Sequence, residues 1–191
     1  MRTGVYLDSG RIRPDQLDPD GLFRDKYDDY SIHVLATEDG TAVGSIRMIQ
    51  GRLGQLQACE LFDLPAPEGD TFEVSACAVV RDYRKSMVTL GLYRALFDLG
   101  EQWGYRHAYM VLAEPFRQAI VALGFPAIAV SEPRRVYNSW DVVAAVKLSS
   151  VSPGLAGADR RRGDRTRFAD FFTEPFAWSL DPATLSTVAD A

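Results

Sequence analysis

The 191-residue sequence predicts an α/β fold, a mixed and mostly antiparallel central sheet flanked by helices, with a C-terminal extension. Three observations carry this. Two strand patterns are joined by a hairpin signal near residue 40, a strand–turn–helix unit is centred on VVRDYRKSMVTLG (79–91), and a second strand–helix step follows it directly. With 47% hydrophobic and 25% charged residues, the chain fills one core and is too short for two large ones.

The segment DPDGLFRDKYDDY (18–30) opens with turn residues and grows too acidic for a core, so it reads as a short helix or loop over the surface. SIHVLAT (31–37) and AVGSIRMIQ (42–50) are strands around the EDGT turn, the second placing Val43, Ser45, Arg47 and Ile49 on one face. Pro and Gly mark residues 53–70 as a long connection. DTFEVSACAVV (70–80) is a third strand, whose alternation sorts Phe72, Val74, Ala76, Ala78 and Val80 onto a core face, and Glu73, Ser75, Cys77 and Val79 onto a more polar one.

Leu92, Leu96 and Leu99 give residues 90–103 helical periodicity, stopped by Gly104. HAYMVLA (107–113) is the next strand, and EPFRQAIVALGF (114–125) is a helix with Pro115 in its first turn. AIAVS and YNSWDVVAAVKLS (137–149) close the sheet. Residues 1–149 thus form the main domain. Residues 150–191 read as a small-residue, basic linker, with Arg160, Arg161, Arg162, Arg165 and Arg167, leading to an aromatic segment. There Phe168, Phe171, Phe172, Phe176 and Trp178 are too apolar for water and are expected to pack on the domain or to form a homodimer with a second subunit.

A formal net charge of −5 leaves no basic surplus to neutralise a phosphate backbone, which argues against nucleic acid as a partner. No apolar run approaches a membrane span and the first residues hold no apolar leader, so a soluble, cytoplasmic protein with no membrane partner is expected. Cys59 and Cys77 have no metal-ligand spacing and His33 and His107 are isolated within strand patterns, so no metal is expected; packed, hydrogen-bonded imidazoles and reduced thiols are the simpler readings.

The turn between the third strand and its helix is the most anion-ready stretch of the chain. Val79, Val80, Arg81, Arg84, Lys85, Ser86, Met87 and Val88 surround a helix start whose N–H groups and dipole suit a pyrophosphate. Here the sequence resembles the GCN5-related N-acetyltransferase (GNAT) superfamily, whose signature is a strand, then Arg/Gln-x-x-Gly-x-Gly/Ala, then a helix. The match starts at Arg84, and Ser86 and Met87 stand near the expected glycines. Ala113 and Ile120 occupy the usual Asn and Tyr places, leaving the general-acid role of that Tyr unfilled.

A fuller resemblance is to the acyl-homoserine-lactone synthases and related N-acyl amino acid synthases of that superfamily. FRDKYD (23–28), GSIRM (44–48), ELFDLPAP (60–67), FEVSACAV (72–79) and EPFRQAIVALGF (114–125) look like their motifs in order and spacing. The resemblance implies a GNAT-like acyltransferase with roles for Asp25, Asp28, Arg47, Phe62 and Glu73. The donor would be a coenzyme A thioester or the 4'-phosphopantetheine of an acyl carrier protein. The family's N-terminal Arg, Phe and Trp have no counterparts in MRTGVYLDSGRIRPDQ, and Ala76 stands at a family Arg, which implies a small-molecule amine acceptor other than that of the lactone synthases.

Within that frame Glu73, just before the turn, suits a general base for an attacking amine; its plain alternative is a structural ion pair with Arg47 across the sheet. A main-chain N–H near Val79 or Val80 suits the oxyanion, while Tyr109 and Ser75 are weak general-acid candidates. Cys77, on the face of Glu73, raises an acyl-cysteine route against a buried inert thiol. Asp25 and Asp28 suit an amine or remain a solvated acidic face, and Arg81, Arg84 and Lys85 suit coenzyme A phosphates or a carrier protein. A homoserine-lactone synthase, or a degenerate fold that binds an acyl thioester in a regulatory module, are the alternative functions.

Overall fold

The computed structural model describes residues 1–67, 69–163 and 168–174. Its centre is a seven-stranded sheet: β1 (Ser31–Glu38), β2 (Thr41–Gln50), β3 (Thr71–Val79), β4 (His107–Ala113), β5 (Ile128–Ala129), β6 (Arg134–Val136) and β7 (Ser139–Lys147). The order is β1-β2-β3-β4-β7-β5, with β6 also on β7, and every pairing is antiparallel except β3 with β4.

The helices α1 (Arg2–Asp8), α2 (Gln57–Phe62), α3 (Val88–Gln102), α4 (Glu114–Ala122), α5 (Val151–Arg161) and α6 (Phe168–Thr173) cover both faces. On one face α3 and α4 pack over Ile46, Met48, Phe72, Val74, Met110 and Val146, the main core. On the other lie the short helices α1 against β3 and α2 against β4. The sequence reading placed the second of these inside the 53–70 connection and assigned no element to the first: each is under eight residues, too short for a periodic signal. The 18–30 segment is likewise less superficial than its charge predicts, because its own Phe23 and Tyr27 are buried.

One parallel pair governs the site. β3 and β4 run side by side only from Thr71 opposite His107 to Val74 opposite Met110. Beyond that β4 continues on β7 as far as Ala113 opposite Asp141, while β3 continues on β2 as far as Val79 opposite Gly44, so the sheet forks.

A bulge in β3 sits inside this fork. The two-residue step from Ser45 to Arg47 on β2 faces the three-residue step from Ala78 to Ser75 on β3, and Ala76 takes a left-handed φ of 49°. The extra residue inverts the alternation that the sequence predicts. Cys77 and Val79 turn toward the α3 core with Phe72 and Val74, whereas Ala78 joins Tyr6, Ile12 and Phe23 on the α1 face with Glu73 and Ser75. Cys77 therefore does not share the face of Glu73, and burial pushes its thiol up to about 12, which removes the acyl-cysteine route.

The expected linker after residue 150 is a helix. Val151, Leu155 and Ala158 recur at helical spacing and are buried, the first two in the main core, with Phe168, Ala169 and Phe172 of α6 packed against the same core. The Phe125 and Phe172 rings lie 6.0 Å apart, so the described aromatic residues pack on their own domain. Arg165, Arg167, Phe176 and Trp178 fall outside the described residues.

The small residues of α5 are what permit its approach. Gly124, with φ +101°, has room for no Cβ: one built there would stand 2.4 Å from the Ala158 Cβ and 2.8 Å from the Gly154 carbonyl. Gly124→Ala therefore combines backbone strain with overpacking and is expected to destabilise the fold by about 2–4 kcal/mol, read as a lower urea midpoint.

Candidate active site

On the α1 face of the fork lies a small open cleft. Its floor is Ser75 and Ala76 of β3 and Val111 of β4; its walls are Arg2, Tyr6 and Arg11 from the N-terminal segment, Phe23, Asp25, Arg47, Gln57, Leu61 and the β6–β7 turn at Val136–Tyr137.

Arg47 is its hub. The residue is 1% exposed, and its guanidinium Nη1 donates to Asp25 Oδ1 (2.6 Å) and Asp28 Oδ1 (2.7 Å), Nε to Ser75 Oγ (3.0 Å) and Nη2 to Gln57 Oε1 (3.1 Å). Antiparallel register makes this possible, since Arg47 lies opposite Ser75 on a shared face. The alternative pairing with Glu73 is not formed; Glu73 sits opposite Ile49. Asp28 also accepts from Arg2 at 2.7 and 2.9 Å, and His33 Nε2 lies 3.3 Å away. Burial alone would raise the Asp28 carboxyl, but the His33, Arg2 and Arg47 contacts outweigh it and hold it well below the usual carboxylate range.

Glu73 lies behind this lining. It is fully buried under α2, where Oε2 accepts the Ala58 N–H at 2.7 Å and Oε1 has no hydrogen-bond partner among the described residues. Desolvation pushes its carboxyl up to about 8, against the lowering effects of the Ala58 amide and Arg47. A short helix with no side-chain cap of its own is thus capped from the neighbouring strand.

The N-terminal segment bridges the two arms of the fork. Tyr6 Oη donates to the Cys77 carbonyl (3.4 Å) on β3, while Arg11 donates to Ser139 Oγ (2.9 Å) and Asp141 Oδ2 (3.0 Å) on β7. Asp141 is fully buried and its Oδ1 has no partner among the described residues. Sequence reasoning gave no role to Arg2, Tyr6, Arg11, Gln57 or Tyr137, and nothing local could have revealed them. The bonded partners of Arg2, Tyr6, Arg11 and Gln57 lie 10 to 130 residues away.

Of the residues singled out in sequence, Asp25, Arg47 and Ser75 line the cleft and Asp28 supports it. Phe62 is buried against Ala58, Val136 and Val143, and its neighbour Leu61 reaches the lining instead. Tyr109, opposite Glu73 in the parallel register, packs among the residues under α2. His33 and His107 are about two-fifths exposed rather than packed, each beside an aspartate, Asp28 and Asp70.

The anion-ready turn caps the β3 arm of the fork. The N–H groups of Tyr83, Arg84 and Ser86 bond back within the turn, and the Ser86 hydroxyl accepts from Val88 N–H. Arg81, Arg84, Lys85, Ser86 and Met87 are exposed, and Arg84 Nε donates to the Val79 carbonyl. Of the two main-chain donors considered for an oxyanion, Val80 N–H is committed to Val43 O at 3.0 Å; strand alternation turns Val79 N–H the other way, toward the fork.

These features coincide with a family match. Residues 1–94 match the model described as an acetyltransferase (GNAT) domain. Among solved structures, a coenzyme A-dependent acyl-homoserine lactone synthase, BjaI, is 20% identical, with a TM-score of 0.67 over 98% of this chain and 88% of that one. The acyl-homoserine lactone synthase LasI is 21% identical, with a TM-score of 0.68 over 82% and 84%. FeeM, an N-acyl amino acid synthase from uncultured soil microbes, is 14% identical, with a TM-score of 0.63 over 83% and 87%. No curated protein matches the sequence.

The fold is therefore defined: it is GNAT-like, a mixed sheet flanked by helices whose first half matches an acetyltransferase domain model. Within that fold its structural likeness runs to the acyl-homoserine-lactone synthases and an N-acyl amino acid synthase. Among the described residues no helix is long and apolar enough to cross a membrane.

Two outcomes follow from the buried charges. Arg47→Met strips Asp25 of its guanidinium and is expected to cost about 3–5 kcal/mol in urea unfolding. Because the folded state holds the Glu73 proton up to about 8 and the unfolded chain only to about 4.5, stability is expected to fall as pH rises between those values. Melting curves across that window should show the decline, and Glu73→Gln should flatten it.

Proposed function

We propose that the protein moves an acyl group from an acyl thioester to the amine of a small molecule by direct attack. The fork between β3 and β4 is the observation that carries this reading. A gap between two strand edges, with a turn of exposed basic residues at its mouth and a charged cleft on one face, suits a long thioester arm that meets its acceptor at the gap. The solved BjaI complex with isopentyl-coenzyme A and SAM supports a coenzyme A donor by analogy.

In this reading the Arg84 and Lys85 side chains, with Arg81 beside them, and the Lys85 and Met87 amides that the turn's own bonds leave open bind the phosphate end of the donor; the same side chains suit the acidic surface of an acyl carrier protein. Asp25 receives the acceptor's ammonium. Arg2, Arg11 and Arg47 give the cleft a cationic side that favours an amine which also bears an anion. Glu73, two residues before Ser75 on the same face, takes the amine proton through a bridging water, and a carboxyl near pH 8 is well matched to that task. The Val79 N–H receives the oxyanion.

A second reading, a module that binds an acyl thioester without turning it over, is favoured by the placement of Glu73 behind the lining. Thiol release decides between them. Acetyl- to decanoyl-coenzyme A and the matching acyl carrier proteins, each offered with a panel of primary amines, are expected to release thiol only with a suitable amine and at a rate rising with pH to a plateau above about 8. Glu73→Gln should lose about 100-fold or more in kcat and the pH step while keeping donor affinity. Donor binding without thiol release from any pair would leave the binding module standing.

A further inference from the structure

We infer that Tyr137 is the residue with which the cleft selects its amine, its hydroxyl forming the hydrogen bond that reads a polar group on the acceptor. The inference rests on the acyltransferase reading and adds a residue that neither the sequence motifs nor the fold assigns.

The argument begins with what the rest of the lining is doing. Arg2 is held by Asp28, Arg11 by Asp141 and Ser139, Arg47 by both aspartates, Gln57 by Arg47 and Asp25, and the Tyr6 hydroxyl by the Cys77 carbonyl. The cleft thus arrives with its charges and amides bonded to one another. The Tyr137 hydroxyl makes no hydrogen bond among the described residues, although its ring lines the same cleft as Asp25, Arg47 and Ser75. Burial raises the phenol's pKa, so it stays a neutral donor and acceptor at working pH.

The backbone reinforces this. Val136 pairs with Ser139, leaving Tyr137 and Asn138 as a two-residue hairpin loop. Tyr137 takes the left-handed position, φ 52°, which such loops ordinarily give to Gly or Asn. An Asn stands next to it, yet its amide is used elsewhere, donating to the Gly10 carbonyl at 2.8 Å. Phe23 meets the Tyr137 ring edge-on at 5.5 Å and fixes its direction. A bulky side chain held in a conformation it disfavours, with its polar tip unused, fits a ligand contact better than a fold contact.

The test uses matched amine pairs that differ by one polar group: L-serine and L-alanine, L-homoserine and 2-aminobutyrate, tyramine and phenethylamine. Wild-type protein is expected to prefer the polar member of the pair it accepts. Tyr137→Phe, which keeps the ring and its packing on Phe23, should raise KM for that member about 10-fold, change kcat about 2-fold or less, and bring the two members close to equal. An unchanged KM and preference, or a loss confined to kcat, would overturn the inference. Calorimetric binding of the same amines to both proteins reads Tyr137 directly; if wild-type protein releases no thiol with any donor, the acyltransferase reading fails while this second measurement still decides whether the hydroxyl contacts an amine. Matching melting curves exclude a folding defect as the cause.

Discussion

Everything on the α1 face is arranged around one buried cation. Arg47 enters from the second strand, on a face whose other residues are apolar or small, and a bare guanidinium there would be untenable. Its donors gather four partners from three parts of the chain, Asp25 and Asp28 from an irregular loop, Gln57 from a short helix and Ser75 from the neighbouring strand. Neither the loop nor the six-residue helix has the length to persist alone. The cation holds them to the sheet, and the second aspartate passes the order on to Arg2 and the N-terminal helix.

The second organising feature is geometric. Strands β3 and β4 part because each is committed to a different neighbour, and the bulge at Ala76 widens the parting by turning β3 on its axis. Left-handed backbone at Ala76 and Tyr137, about 1–2 kcal/mol each, borders the cleft at two points. Strain of this kind persists only where surrounding contacts over-determine it, which here means the packing of Tyr6, Ile12, Phe23 and Ala78.

The order of strands and long helices was legible in the sequence because period-2 and period-3.6 patterns survive where one face is buried: β4 is found at 107–113 as its alternation predicts, and α3 starts two residues before its first expected position. The acidic segment and Arg47 were legible by motif. What escaped were features with no local cause. A single inserted residue moved Cys77 and Val79 to the opposite face, and no composition marks a bulge built on alanine. The helix at 151–161 was hidden by its own glycines, which lower helix propensity but are required where it meets Gly124. Arg11 carried no signal at all, because its meaning depends on Asp141, 130 residues later.

That last separation has a consequence for how the molecule is made. The N-terminal helix leaves the ribosome ahead of every strand, yet the carboxylate that holds Arg11 just beyond it is among the last parts of the sheet to appear. At roughly 5–20 residues per second, Arg11 waits on the order of ten seconds for Asp141. Through that interval the β2–β3 half of the fork can assemble around Arg47 and Asp25, while the cleft stays open on its β7 side. Closure of the pocket is thus a late event of biosynthesis, and a segment translated well before the sheet is complete is among the last to find its place.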